Sequence, residues 1–395
     1  MICGYSTVVL SPPEPIDSGP WMLDPQITYL NHGSFGARTK QVFQSQQEFK
    51  KLFERSPIDF LDRSRLALID TARHVVSSFL QCDSAGLGFV DNATTSVGCV
   101  VQSMDFTPSD EILTTNHVYN GVRQLLSHHA KRNGCSYREL VLPLPVMNSN
   151  EILSTIISSF STSTKLFVVD HVASMTSIVL PIDEIIIECH KRGILVLIDG
   201  SHAPGMLDVH IDSLNADWYV GNLHKWVCAP VGAGFIWTHE MHRDHTHPLT
   251  VSHFLHTDYT REFDWQGTKD ISPWLAAATA IQIGDSIGWD RIREHNHTLV
   301  TWMHQELLEG LSLDSMVPID GSLYGSMATV LLPTQFPDTY EGCDQLRDQI
   351  FHEFKIEVPI LLFENRCFMR VSAQLYTKSS DIGHLIDVLR GIRQF

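Results

Sequence analysis

Between Leu87 and Trp237 the chain alternates short apolar runs with amphipathic stretches long enough for a helix, and this alternation constrains the fold more than any other feature. The apolar runs are GLGFV, EILTT, ELVLPL, LFVVD, ILVLID, WYVGN and GAGFIW. The segments between them predict helices from Thr95, over Gly121 to Arg132, over Asn150 to Phe160 and over Asp183 to Arg192. Strands separated by helices of that length require crossover connections, which are right-handed and build a mostly parallel sheet. WYVGN and GAGFIW stand too close for a helix between them, so at least one antiparallel pairing is expected.

The flanks read differently. A Pro-rich arm, Ser11 to Pro20, leads through TYL to a turn-like NHGSFG at Asn31 to Gly36. Apolar residues at three-to-four spacing from Lys40 to Leu80 predict two helices broken at Ser56-Pro57. Beyond Trp237 the pattern dissolves into a polar, His-rich stretch. Helices resume near Trp274 to Ser286 and Asp290 to Gly310, followed by strands near Ala328 to Leu332 and Cys367 to Ser372 and a helix from Ser380. The expected units are an arm and loop over 1–39, a large α/β domain over 40–270 and a small C-terminal α+β domain over 271–395.

Composition narrows the class. At 395 residues, 43% hydrophobic and 18% charged, the chain can bury a large core and lies far from the disordered range. A formal charge of −17 repels nucleic-acid phosphates and anionic membrane surfaces, so neither is an expected partner. The aliphatic run Ile194 to Ile198 ends at Asp199, far short of the about 20 residues of a membrane span. The N-terminal segment has no basic region ahead of a signal-length apolar run, which makes the cytoplasm the expected location. Eight cysteines scattered without CxxC spacing read as reduced thiols.

The most informative segment is ILVLIDGSHAPG followed by WYVGNLHKW. Asp199 ends an apolar strand, at the edge where open α/β sheets bind ligands. Lys225 follows a second strand between His224 and Trp226, where desolvation would depress an amine pKa. Acid plus lysine is the pairing that pyridoxal phosphate requires, the lysine carrying the aldehyde as a Schiff base and the acid keeping the pyridine nitrogen protonated. Taken in isolation, the two residues fit an ordinary strand-end acid and surface lysine better. Their company shifts the balance: FVDNATTSVG at Phe89 to Gly98 predicts a strand, a small-residue turn and a helix start around Thr94, an arrangement suited to a phosphate and equally a good plain cap.

An ordered set of motifs resembles the class V aminotransferase family of fold-type I pyridoxal-phosphate enzymes, most closely its isopenicillin N epimerase-like branch. The set comprises LNHGSFG at Leu30, DNATTS at Asp91, TTNHVYNG at Thr114, DHVASMTS at Asp170, DGSHAPG at Asp199, GNLHKW at Gly221, WQGTKD at Trp265 and FMRVS at Phe368. The resemblance covers the chain from about Trp21 onward. It implies a large domain with a mostly parallel seven-stranded sheet, a small C-terminal α+β domain, and a homodimer with shared active sites. By position, Lys225 would hold the cofactor and shuttle the α-proton, Asp199 would pair with the pyridine nitrogen, and His202 would lie against the ring. Ala93, Thr94 and Thr95, with Asn222 and His224, would hold the phosphate, completed by Gly267 and Thr268 of the neighbouring subunit. Arg370 would fix the substrate carboxylate, and Asn31 and His32 would close the substrate side. His117 and Tyr119 both fall in the segment that stacks on the cofactor; Tyr119 is preferred, its phenol also able to act as an acid opposite Lys225. Ser174 stands where relatives often carry an asparagine that bonds the cofactor's phenolic oxygen.

The implied chemistry is proton removal at the α-carbon of an amino acid, as an epimerase or racemase or as a β-eliminating C–S lyase. Transamination and carbon–carbon bond formation rank lower, and a cofactor-fold binding protein without turnover is the alternative from another class. Desulfurase chemistry is disfavoured because Cys367, near Arg370, lies in a strand-like run rather than on a mobile loop. The histidines from His239 to His256 fit no closed zinc site and read as a solvated or dimer-contacting loop, with no metal expected. Asp170-His171 resembles half a catalytic triad, but no G-x-S-x-G elbow accompanies it.

Overall fold

In the computed structural model, which describes residues 11–392, the expected alternation becomes one seven-stranded sheet with helices on both sides. Cys3 and the first part of the N-terminal arm lie outside the described residues. In chain order the elements begin with β1 (Thr28–Tyr29), α1 (Lys40–Arg55), α2 (Arg65–Phe79), β2 (Leu87–Val90), α3 (Ala93–Ser103), β3 (Glu111–Thr115), α4 (Asn120–Asn133) and β4 (Ser136–Leu140). They continue with α5 (Ser149–Ser159), β5 (Thr164–Asp170), α6 (Ile182–His190), β6 (Leu195–Gly200), α7 (Ile211–Leu214), β7 (Trp218–Asn222) and β8 (Gly234–Thr238). The remainder comprises α8 (Tyr259–Asp264), α9 (Ser272–Ile287), α10 (Trp289–Leu311), β9 (Met327–Leu331), α11 (Tyr340–Phe354), β10 (Ile356–Glu357), β11 (Ile360–Phe363), β12 (Arg366–Ser372) and α12 (Ser379–Gly391).

The large sheet runs β2-β8-β7-β6-β5-β3-β4, and only β8 is antiparallel to its neighbours. Its central strands β5, β6 and β7 are buried nearly throughout, as a parallel sheet covered on both faces demands. β4 differs from the expected ELVLPL: it begins earlier and stops at Leu140, because Pro143 and Pro145 have no N–H to give a ladder. It is also the edge strand, so its Arg138 and Glu139 are tolerated where an apolar run was anticipated.

The small sheet, β11-β12-β9, is antiparallel. β11 and α11 had no counterpart in the sequence reading, because α11 buries only Cys343, Leu346 and Ile350 within a charged segment. The boundary expected after residue 270 falls just before α9, yet α9 packs on α1 and α2. The arm is tied to the small sheet's side: β1 pairs with β10, and Ser372 N–H donates to Leu30 O. The His-rich stretch is held more firmly than a solvated loop. His242 bonds Asp217 at 2.7 Å and stacks on Trp218, and His247 bonds Glu262 at 2.8 Å.

One buried ion network anchors the β2 edge that leads to the candidate phosphate loop. Arg73, almost fully buried on α2, donates to Leu87 O and to the Asp264 carboxylate, which also receives Arg261 at 3.0 Å. Replacing Arg73 by Met leaves the buried Asp264 carboxylate with Arg261 alone and takes the donor from Leu87 O, and is expected to lower the unfolding free energy by about 3 kcal/mol. Denaturant unfolding checks this, and adding Asp264→Asn should recover part of the loss.

Candidate active site

The carboxyl ends of β5, β6 and β7 and the amino end of α3 surround a cleft of ≈ 740 Å³. Lys225 projects into it from the loop after β7. Glycines let backbone crowd that loop. A Cβ on Gly36 would lie 2.3 Å from Lys225 O, and Gly36 N–H donates to His224 O. Lys225 Nζ lies 3.0 Å from His202 Nε2, while His202 Nδ1 accepts from the Trp226 indole at 3.5 Å. In that tautomer Nε2 carries the proton and donates to the amine, which therefore offers a lone pair. Burial, then the nearby Arg370 charge, pushes the Lys225 amine down to about 7, and burial holds His202 well below its ordinary value.

Two acids share this edge. Asp170 and Asp199 are register partners on β5 and β6, so their side chains leave the same face. Asp199 accepts from Ser201 N–H at 2.9 Å and from Ser201 Oγ. Asp170 lines the cleft, and its Oδ2 is buried without a partner. Burial raises both carboxyls, and the Asp199 charge adds to the rise at Asp170. The neighbouring His171 is turned away and bonds Tyr219 OH at 2.8 Å, so the pair is no triad fragment.

At the other end, Asn92 caps α3 by accepting from Thr95 N–H at 2.9 Å, and Thr94, Thr95, Asn222 and His224 line the cleft. Ala93 does not contribute as expected, because its N–H is spent on Asn222 Oδ1 at 2.9 Å. His224 Nδ1 is buried and unpartnered. Gly267 and Thr268 do not reach this cleft; Thr268 lines a separate cavity of ≈ 400 Å³ beside Phe53 and Phe60.

Arg370, fully desolvated on β12, has no carboxylate partner among the described residues. Its guanidinium donates to Ser174 O, to Ser174 Oγ at 3.3 Å and to Ser34 Oγ at 2.8 Å, and its Nε is unpartnered. Burial pushes it down to about 10. A buried cation held by neutral oxygens is a receptor for an anion. Ser174 is thus a brace for Arg370 as well as a cleft residue.

Three expectations change. His117 is 1% exposed, with Nδ1 bonded to Thr176 at 2.7 Å and Nε2 to Leu142 O at 3.1 Å, so it cannot face a cofactor in this cleft. Tyr119 instead lines the cleft wall, 49% exposed, its ring resting where a Cβ on Gly121 would lie 2.8 Å away. His32 is fully buried behind the lysine, bonding Lys225 O at 3.1 Å and Tyr376 OH at 3.0 Å, and Asn31 Nδ2 is spent on Glu357 at 2.9 Å. Ser34 and Phe35 line the substrate side instead. Asp170, Ser34, Phe35 and Ser201 were missed. Ser34 and Phe35 lay inside the NHGSFG motif, and Asp170 itself ends the apolar run LFVVD, so the motif and strand-end position were the available signals.

A desolvated lysine, a strand-end acid, a helix amino terminus flanked by hydroxyls and a lone buried arginine define a site for a phosphorylated aldehyde cofactor and an amino-acid carboxylate. Residues 38–331 match the family model of class-V aminotransferases, so the chain belongs to that family, whose cofactor is pyridoxal phosphate. It is 30% identical to isopenicillin N epimerase of Streptomyces clavuligerus, over 94% of this chain and 96% of that protein. It is 25% identical to L-cysteine desulfhydrase of Arabidopsis thaliana, over 92% of this chain and 87% of that protein. The fold matches that of the cystine C–S lyase C-DES, solved with cysteine persulfide, with a TM-score of 0.79 and 19% identity over 92% of this chain and 97% of that one.

The residues present fit the cofactor: orphaned Asp170 Oδ2 and His224 Nδ1 lack the partners that a ring cation and a phosphate would provide. The depressed amine is directly testable. Methylation of Lys225 in the apoprotein by formaldehyde and cyanoborohydride should rise with pH to half its plateau near 7, and Arg370→Leu should move that midpoint upward by removing a neighbouring cation.

Proposed function

We propose that this chain is a pyridoxal-phosphate enzyme that removes the α-proton of an amino acid, as an epimerase or racemase or as a β-eliminating C–S lyase. The observation that carries the reading is Lys225, desolvated beside His202, in the same cleft as a buried Arg370 that has no acidic partner among the described residues. The relatives that are epimerases and C–S lyases support the same pair of branches.

When bound, the cofactor supplies an aldehyde for the substrate amine and a ring that draws electrons from the α-carbon. Lys225 would hold it, Asp199 with Asp170 would face its ring nitrogen, and Thr94, Thr95, Asn222 and His224 would take its phosphate. Arg370 receives the substrate carboxylate through donors that Ser34 and Ser174 keep oriented. Lys225, whose amine is pushed down to about 7 and is therefore substantially unprotonated at neutral pH, takes the proton from the α-carbon and returns it. Delivery of a proton from the Tyr119 side inverts the centre. Breaking the Cβ–S bond instead releases a thiol, and water carries the remainder to pyruvate and ammonia. Persulfide transfer by a loop cysteine has no support here: Cys367 is 4% exposed within β12, paired across the ladder with Leu362.

The reading includes a cytoplasmic homodimer in which Gly267 and Thr268 of one subunit complete the phosphate site of the other. In its support, those residues lie away from their own cleft, and Phe35 and Val231 leave apolar surface exposed at its mouth. Among the described residues no helix is long and apolar enough to cross a membrane, and the cysteines are free thiols.

The test is spectral and isotopic. Protein with added pyridoxal phosphate should absorb near ~420 nm, borohydride should fix the cofactor on Lys225, and amino acids should then exchange their α-proton in D2O or yield pyruvate. Lys225→Ala should abolish the band and all turnover; retained turnover refutes the reading. Arg370→Leu should keep the band and lower kcat/KM by about 30-fold or more, the loss expected when a buried carboxylate pair loses its cation.

A further inference from the structure

A second chamber of ≈ 690 Å³ adjoins the cleft and shares Ser34, Tyr119, Ser174 and Arg370 with it. Its apolar wall includes Leu361 and Phe363 of β11 with Met175, and Arg123 and Glu364 add charged groups to the lining. The chamber stays open because β11 and β12 are joined by the two-residue turn Glu364-Asn365, both left-handed at φ 50 and 57, so no connecting loop folds back into it. A substrate whose carboxylate sits on Arg370 stands at the junction of the two spaces. Cysteine, with one atom beyond Cβ, would leave the chamber filled with water, whereas a cavity of this size matches a drug-sized group.

These two charged residues offer both polarities. Arg123 gives Nε to Glu139 at 2.9 Å and Nη2 to Asn116 O at 2.8 Å, leaving Nη1 without a partner among the described residues. Glu364 accepts from Asn116 with one oxygen at 2.6 Å and keeps the other. Arg347, by contrast, is committed to Asp344 and Asp348.

We propose that the substrate is an amino acid with a long side chain, an apolar stem along Leu361 and Phe363 and a polar head that both donates and accepts hydrogen bonds at Arg123 and Glu364. This rests on the reading of the cleft as a site for α-proton removal. Small thiol amino acids are then poor substrates.

The holoenzyme should be assayed by loss of the Cα–H signal in D2O, which reads either branch, with L-cystathionine, S-methyl-L-cysteine and L-cysteine. The expected result is a kcat/KM for cystathionine at least tenfold above the other two. Leu361→Trp, which fills the chamber, should shrink the cystathionine to S-methylcysteine ratio at least fivefold, chiefly through KM. Equal efficiency with all three, preference for a small substrate, a ratio unmoved by Leu361→Trp, or no Cα–H loss from cystathionine each overturns the proposal. The wild-type ratio decides the matter even where the variant does not fold. The reading of the cleft is judged separately, by the ~420 nm band and its borohydride adduct on Lys225, so the two fail independently.

Discussion

Holding the desolvated cationic groups of Lys225 and Arg370 in one cleft is the constraint that the rest of the structure serves. Like charges removed from water raise each other's cost, and no salt bridge to either is found among the described residues. The fold responds in two ways. The lysine yields its proton, its amine pushed down to about 7, and the arginine keeps its charge on neutral oxygens from Ser34 and Ser174. Asp170 and Asp199 stand side by side on neighbouring strands, and burial raises both carboxyls, so neither closes an ion pair with the two cations. A site of this kind is incomplete by design: its acids, its anion receptor and its amine are all satisfied better by a ligand than by one another.

The approach of distant segments to Lys225 explains why two sheets and an N-terminal arm are needed. Lys225 leaves the large sheet, Arg370 belongs to the small one, and the segment from Leu30 to Gly36 bridges them. Gly33 N–H donates to Ser372 Oγ at 3.1 Å, Ser34 Oγ receives Arg370, and Gly36 lies against the Lys225 backbone. His32, buried under that bridge, fixes Lys225 O. On the opposite side Gly205 performs the same service, since a Cβ there would come within 2.7 Å of the Trp226 backbone. The arm is therefore structural to the site, and a change in its seating on β12 would be felt at the arginine before it was felt at the lysine.

The strands of the large sheet were legible because a parallel sheet covered on both faces writes itself as continuous apolar runs, and Asp199 and Lys225 stood out as the polar residues that end or follow such runs. Thr94 and Thr95 were legible through the cap chemistry of α3. Elements whose stability comes from one narrow buried stripe, such as α11, were not, and the edge strand β4 was legible as a strand but with its bounds shifted toward the C-terminus. Among the site residues, Tyr119 was preferred to His117, but both lie within one turn-forming segment, and it is the packing of His117 between Thr176 and Leu142 O that turns it away. Asn31 and His32 were placed in the right segment but on the wrong side of it.

The sequence by itself determined the alternation of strand and helix, the strand-end acid, the lysine and the phosphate-suited helix start, because each is a local matter of period, cap or polarity in an apolar run. Only the tertiary structure decided the rest: that Asp170 joins Asp199, that Ser34 rather than Asn31 meets Arg370, and that a second chamber opens beyond Tyr119. Those features depend on strand register and on contacts between residues more than 300 positions apart, such as Ser34 with Arg370, whose closeness no local pattern encodes.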